Sequence, residues 1–141
     1  MKFQLLDCKV PERETAKILS VLEANNMAPR IPKVDDETRF NCWGFTAYYC
    51  QWTDRIYWMS ADEMEQHLQR RTTPIDESEV EAGDIAIFRR YEDFLTHTAI
   101  MLPDSKFVCH KPGMNTLCID KLEDVAERYG DVTFARPFEL E

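Results

Sequence analysis

The segment Arg39-Phe40-Asn41-Cys42-Trp43-Gly44-Phe45-Thr46-Ala47-Tyr48-Tyr49-Cys50 predicts a buried helix that begins near Asn41 and runs to about Trp52. Asparagine is a favoured N-cap because its side-chain oxygen accepts a hydrogen bond from a free backbone N–H. Cys42 would lie in the first turn, where the helix dipole and free N–H groups should lower the pKa of its thiol. The N–H of Cys42 would point toward an oxyanion formed on an attacked carbonyl. The segment therefore predicts a cysteine nucleophile, with an inert buried thiol as the alternative.

The composition indicates a single globular domain over residues 1–141. The net charge of −9 argues against a nucleic-acid partner, which needs clustered lysine and arginine. The chain has no apolar run of about 18 residues, so we expect no membrane span. Its N-terminus lacks a signal-peptide core, so we expect a protein that is cytoplasmic as synthesised. Five cysteines without a pairing pattern indicate reduced thiols.

The pattern along the chain places helices first and short strands afterwards, which predicts an α+β fold with helices packed on an antiparallel sheet of about five strands. A helical pattern starts at Pro11 and ends at Asn25 and Asn26, and residues 27–38 form an exposed connector. Ser60 begins a second helix through a capping box, and Asp120 caps a last helix that ends at Gly130. Residues 72–82 are predicted to be irregular. The predicted strands are 85–88, 97–102, 106–110, 116–119 and 132–136.

Two of the three histidines, His97 and His110, fall on consecutive predicted strands. The turn Pro103-Asp104-Ser105 has hairpin chemistry, so these strands should pair antiparallel and bring the two imidazoles together. Packing of the Cys42 helix against this sheet would complete a Cys–His–His set. In that set, His97 takes the thiol proton, and His110 orients His97 and supports its charged form.

Three other interpretations of these polar residues are weaker. A zinc site would need Cys42, Cys50, His97 and either Cys109 or His110, but the chain has no Cys-x-x-Cys or His-x-x-x-His pair, so we predict no metal and no cofactor. Asp84 follows Gly83 and is explained by turn chemistry rather than as a catalytic acid. His67 lies one helical turn after Glu63 and is interpreted as its solvated partner.

Five short motifs follow one another along the chain. They are Phe40-Asn41-Cys42-Trp43-Gly44-Phe45, Ala82-Gly83-Asp84 with the apolar strand after it, His97-Thr98-Ala99-Ile100-Met101, Phe107-Val108-Cys109-His110 and Ala135-Arg136. In this order they resemble the motifs of the NlpC-type papain-like cysteine peptidases, and the resemblance covers residues 39–137. The chain departs from the family at Trp43, where a serine is usual, and at residues 33–38, which lack the family's aromatic-Gly-Gly segment.

The resemblance implies a papain-like fold over residues 39–137, preceded by a helical extension over residues 1–30. It implies an enzyme that hydrolyses amide bonds in peptidoglycan stem peptides, with Cys42, His97 and His110 as the catalytic set and with Asn41 and Cys42 supporting the oxyanion. The substrate would be a peptide or peptidoglycan fragment, reached by a phage or secretion route. Such delivery, or control by an inhibitor, would require a partner protein that the sequence does not identify.

Two alternatives stay open from the sequence. The first is a non-catalytic binding or assembly module of a phage or secretion device, which the bulky Trp43 and the missing aromatic-Gly-Gly segment favour. The second is an intracellular deamidase or acyltransferase, because the same Cys–His–His set supports those reactions.

Overall fold

A six-stranded antiparallel sheet organises the computed structural model, which describes residues 22–24, 26–27, 39–113 and 117–138. The strand order is β1-β6-β2-β3-β4-β5. The fold is therefore α+β as predicted, with six strands where about five were expected. The helices are α1 (Cys42–Tyr49), α2 (Ala61–Arg71) and α3 (Leu122–Tyr129), and the strands are β1 (Thr72–Ile75), β2 (Ile85–Arg90), β3 (Phe94–Met101), β4 (Phe107–His110), β5 (Cys118–Lys121) and β6 (Asp131–Pro137).

Each face of the sheet carries its own apolar cluster. Phe45 and Tyr49 of α1 pack on one face with Ile85 and Ile100. The opposite face is covered by α3, and the residues of that cluster include Ala86, Phe88, Ala99, Met101, Val108 and Val125. Since neighbouring residues of a strand point to opposite faces, this division fixes which side chains of β3 and β4 point toward each helix.

The predicted N-terminal helix lies mostly outside the described residues. Residues 22–24 are helical, and Asn26 has a φ of 61°, in agreement with a helix that ends there. Leu22 is fully buried in the same cluster as Phe45. Nothing in the described ranges tests the helical extension over residues 1–30 as a whole.

The central helix α1 forms as predicted but is shorter. Asn41 caps it, and its side-chain oxygen accepts from the Gly44 N–H at 2.9 Å. The helix ends at Tyr49 rather than near Trp52, because the backbone turns at Gln51, whose φ is 62°.

Two of the predicted elements were wrong. Residues 72–82 were expected to be irregular, yet Thr72–Ile75 form β1 at the edge of the sheet, where Pro74 is tolerated because an edge strand has free backbone positions. Asp120 was expected to cap a helix, but it lies within β5, and Lys121 occupies the cap position of α3 without a side-chain hydrogen bond.

An ion pair joins two of the sequence motifs. Arg136 of β6 donates to both carboxylate oxygens of Asp84, at 3.0 and 2.9 Å, and the Asp84 side chain is almost fully buried. Asp84 also accepts from the Glu81 N–H at 2.7 Å, which confirms its turn role. Gly83 takes the positive φ of 90° that the turn needs. The ion pair between Asp84 and Arg136 thus fixes the start of β2 against β6.

Within the described ranges, no helix is long and apolar enough to cross a bilayer.

Candidate active site

Cys42 occupies the first position of α1, as predicted, but its thiol is protonated. Burial, with 6% of the residue exposed, raises the pKa of the thiol to about 11. The backbone N–H groups of Thr98, Trp43 and Cys42 itself oppose that shift. The expectation of a lowered pKa was therefore wrong for this state, because desolvation penalises the thiolate more than these N–H groups stabilise it.

His97 and His110 are brought together as the sequence predicted. His97 Nε2 and His110 Nδ1 lie 2.7 Å apart, and both side chains are buried. The pairing of β3 with β4 supplies this contact, with Ile100 opposite Cys109 and Met101 opposite Val108. The two rings meet edge to face at 4.9 Å.

The chain of hydrogen bonds continues beyond the predicted residues. His110 Nε2 lies 2.7 Å from a carboxylate oxygen of Asp120 on β5. Because a carboxylate accepts hydrogen bonds, His110 in its neutral form carries its proton on Nε2 and presents the lone pair of Nδ1 to His97. His97 must then donate from Nε2, which leaves its Nδ1 as the basic nitrogen. Sequence analysis missed Asp120, because an aspartate just before a helix has the same appearance as an N-cap.

The surroundings of His97 keep its ring neutral. The ring stacks on Tyr129 with centroids 3.9 Å apart and planes 6° apart, and Phe88 packs at 5.7 Å. Burial is the largest cause that lowers the pKa of His97 to about 2, and the nearness of His110 and the charge of Arg128 add to it. Because the ring is neutral, it has a free lone pair with which it can accept a proton as a general base.

Thr98 of β3 connects the helix that carries Cys42 to the strand that carries His97. The Thr98 hydroxyl donates to the Cys42 carbonyl at 3.5 Å and exchanges a 2.8 Å hydrogen bond with Thr46 of α1. Because β4 pairs with β3 only at Ile100 and Met101, β4 does not cover the backbone at Thr98. In the part of the chain that the structure describes, no hydrogen bond joins the Cys42 thiol directly to the His97 ring.

Asn41 fixes the position of the nucleophile. Its side-chain oxygen accepts from the N–H groups of Gly44 and Met59, at 2.9 and 3.1 Å, and its amide donates to the Met59 carbonyl at 2.8 Å. The residue therefore ties the start of α1 to the segment before α2. The N-cap role is the one predicted for Asn41, the bonds to Met59 were not predicted, and a contact to an oxyanion stays a prediction.

A lysine lies close enough to the thiol for its charge to affect the pKa of Cys42. Lys111 follows His110, is 8% exposed, and donates from Nζ to the Gly113 carbonyl at 2.7 Å. Its Nζ lies 5.0 Å from the centre of the Phe40 ring. Burial lowers the pKa of Lys111, and its charge in turn lowers the pKa of Cys42. No motif in the sequence had pointed to Lys111.

Three buried residues offer metal-binding atoms close together. The atoms of His110, Cys118 and Asp120 lie within 4.8 Å of one another. Protons already bridge them, because the Asp120 oxygen is 2.7 Å from His110 Nε2 and 3.3 Å from the Cys118 sulfur. Two ligands of a tetrahedral zinc stand about 3.3 Å apart, given bonds of about 2.0–2.1 Å. The 2.7 Å pair is therefore spaced for a hydrogen bond, whereas the 3.3 Å pair fits either arrangement.

The remaining cysteines and the third histidine have structural positions. Cys50 and Cys109 are buried in the α1 cluster, and Cys109 faces away from His110 as expected. His67 lies 3.6 Å from Glu63, the partner predicted for it, but it is not solvated as expected, because only 15% of its side chain is exposed and its ring stacks on Trp52 at 5.4 Å. Cys8 lies outside the described residues.

The raised pKa of Cys42 predicts slow alkylation in the free protein. With a thiol pKa of about 11, the thiolate fraction and the labelling rate should rise about tenfold per pH unit between pH 7 and 10. Iodoacetamide labelling followed by peptide mass spectrometry measures this rate. A rate that is already at its maximum at pH 7 would show that the thiol is ionised at rest.

The fold is papain-like: a helix that begins with a cysteine packs against an antiparallel sheet that carries a histidine and its polar partner. The chain belongs to the NlpC/P60 family, whose model matches residues 31–134. The family generally comprises cysteine peptidases and amidases. A search of curated proteins finds no match to the chain.

Proposed function

We propose that this protein is a cysteine-dependent amide hydrolase that cleaves peptidoglycan stem peptides, with Cys42 as nucleophile, His97 as general base and His110 as the residue that orients His97. The observation that carries the proposal is the 2.7 Å hydrogen bond between His97 Nε2 and His110 Nδ1. With His97 Nε2 as the donor of this bond, His97 Nδ1 is the nitrogen that accepts a proton. A thiol protease needs a base histidine that is held through one ring nitrogen and can accept a proton on the other, and this pair would provide it.

The reaction follows from the protonation states of the site. As the Cys42 sulfur attacks the amide carbonyl, its proton passes to His97 Nδ1, and the oxyanion forms near the N–H of Cys42. The His97 imidazolium then returns that proton to the leaving amine, and a thioester remains on Cys42. Water, deprotonated by His97, hydrolyses the thioester, releases the acid and restores the thiol.

The resting thiol is compatible with this sequence of steps. Because the pKa of Cys42 is about 11 and that of His97 is about 2, both groups are neutral before substrate binds. Proton transfer therefore accompanies attack instead of preceding it. The N–H groups of Thr98 and Trp43 already lie against the sulfur, and they favour the negative charge that the sulfur gains as the proton leaves.

The charge distribution supports a substrate that carries a carboxylate. The protein has a net charge of −9, yet Lys111 places a buried cation close enough to Cys42 to affect its pKa. A buried charge is costly unless an anion lies near it. Stem peptides carry free carboxylates beside their amide bonds, and Lys111 would recognise one of them.

A digest with a matched pair of histidine variants tests the function. Purified peptidoglycan and free stem peptides are incubated with the wild type, His97→Gln and His67→Gln, and the products are identified by mass spectrometry. We expect new amine and acid ends with the wild type and His67→Gln, and a loss of at least about 10³-fold with His97→Gln. His67 is the control because it lies in α2, paired with Glu63. Equal products from both variants would contradict the role of His97.

One observation favours a second function. A thiol that is 6% exposed and protonated also fits a binding module that has kept the fold. Such a module would give no new products from any amide substrate. A deamidase or acyltransferase would instead release ammonia or transfer the acyl group to an added amine, and the same mass spectra distinguish these outcomes.

A further inference from the structure

We propose that Asp120 is a fourth member of the catalytic array, a positioning residue that fixes the tautomer of His110 and so sets which nitrogen of His97 is basic. This inference rests on the proposed function for its kinetic consequence. The expected position of the proton on His110 follows from the geometry alone and does not require that the protein is a hydrolase. The family resemblance covers a cysteine, a histidine and one further polar residue, and it does not include this aspartate.

The register of β4 and β5 places Asp120 where it can act on His110. His110 lies opposite Cys118 and Val108 lies opposite Asp120, so Asp120 is the diagonal neighbour of His110 on the same face of the sheet. The distance from the Asp120 oxygen to His110 Nε2 is 2.7 Å, and the aspartate is 7% exposed. A buried carboxylate at this distance forms a strong, charge-assisted hydrogen bond.

The surroundings of Asp120 keep its carboxylate directed at His110. The same oxygen accepts a 3.3 Å hydrogen bond from the Cys118 thiol. The residue does not cap α3, because Lys121 holds the cap position. The usual structural explanation for an aspartate before a helix therefore does not apply.

The direction of the hydrogen bond between His97 and His110 depends on the Asp120 carboxylate. If His110 instead carried its proton on Nδ1, it would donate to His97 Nε2, and His97 would have to carry its proton on Nδ1. The nitrogen that accepts the proton of Cys42 would then be blocked. The negative charge of Asp120 prevents this reversal and also stabilises the imidazolium that forms during attack.

The first measurement is independent of catalysis. Nitrogen-15 shifts of the histidine rings in the wild type report which nitrogen of His110 carries the proton. We expect a proton on Nε2 and a lone pair on Nδ1. A proton on Nδ1 would overturn the proposal, whether or not the protein is a hydrolase.

The second measurement compares Asp120→Asn with Asp104→Asn and Asp120→Glu. Asp104 is the matched control because it lies in the β3–β4 turn, where its oxygen accepts from the Lys106 N–H at 2.9 Å. We expect Asp120→Asn to lower kcat about 100-fold with little change in KM, and to shift His110 toward the other tautomer. Asp120→Glu should recover part of kcat, and Asp104→Asn should match the wild type.

Each outcome decides the role of Asp120. An unchanged tautomer and an unchanged kcat in Asp120→Asn would overturn it. If Asp120→Asn does not fold, the wild-type tautomer and the kcat of Asp120→Glu still decide. If the wild type shows the expected tautomer but cleaves no amide substrate, the proposed function fails while the positioning of His110 by Asp120 holds.

Discussion

Cys42→Ala is expected to abolish amide hydrolysis and to leave the fold intact. No other group described near this position can form the thioester, so activity should fall by at least about 10⁴-fold. The fold should survive because the change removes one buried sulfur at the start of α1 and introduces a good helix former. The two effects are separable by measuring product formation and thermal unfolding on the same preparation.

Cys50→Ala is the matched control for this variant. Cys50 lies at the opposite end of the same helix and is 5% exposed, against 6% for Cys42. Both variants remove the same atom from a similar environment, so both should lose about 1 kcal/mol of stability. Only Cys42→Ala should lose activity. Full activity in Cys42→Ala, or equal losses in both variants, would remove Cys42 from the mechanism.

The histidine pair could be predicted from sequence because its determinants are local. The turn Pro103-Asp104-Ser105 joins β3 to β4, and strand alternation then places His97 and His110 on one face. Likewise, the N-cap role of Asn41 depends on the three residues after it, and the structure confirms it. These signals lie within a dozen or so residues of one another and need no knowledge of the tertiary packing.

Features that depend on distant segments could not be predicted in the same way. β1 forms because Thr73 pairs with Arg136 of β6, a partner that its own sequence does not indicate. Asp120 binds His110 only because β5 pairs with β4 in one register. The pKa of Cys42 rises because other parts of the chain bury the thiol, an effect that the helix dipole argument does not include.

Gly44→Ala is expected to unfold the protein or to destabilise it by more than about 3 kcal/mol, the range of severe overpacking. Helix propensity alone predicts the opposite, because alanine is about 1 kcal/mol better than glycine inside a helix. The structure overrides that preference. A Cβ on Gly44 would lie 1.8 Å from the backbone carbonyl oxygen of Tyr57 and 3.3 Å from the side-chain oxygen of Asn41.

Relieving this clash would cost stability, because hydrogen bonds hold the start of α1 and the segment after Tyr57 in place. Asn41 binds the N–H and the carbonyl of Met59, which fixes the segment after Tyr57 against the helix. Moving that segment would break these bonds and loosen the helix start that carries Cys42.

Gly113→Ala is the control for this substitution, and urea denaturation gives the free energy of unfolding of both variants. A Cβ at Gly113 meets nothing within 4 Å, and only the positive φ of 54° opposes it, so we expect a loss of about 1 kcal/mol. If Gly44→Ala proved as stable as the wild type, the close approach of Tyr57 to α1 would be wrong. The packing of the start of α1 against the segment before α2, which the hydrogen bonds of Asn41 to Met59 also describe, would then be in error.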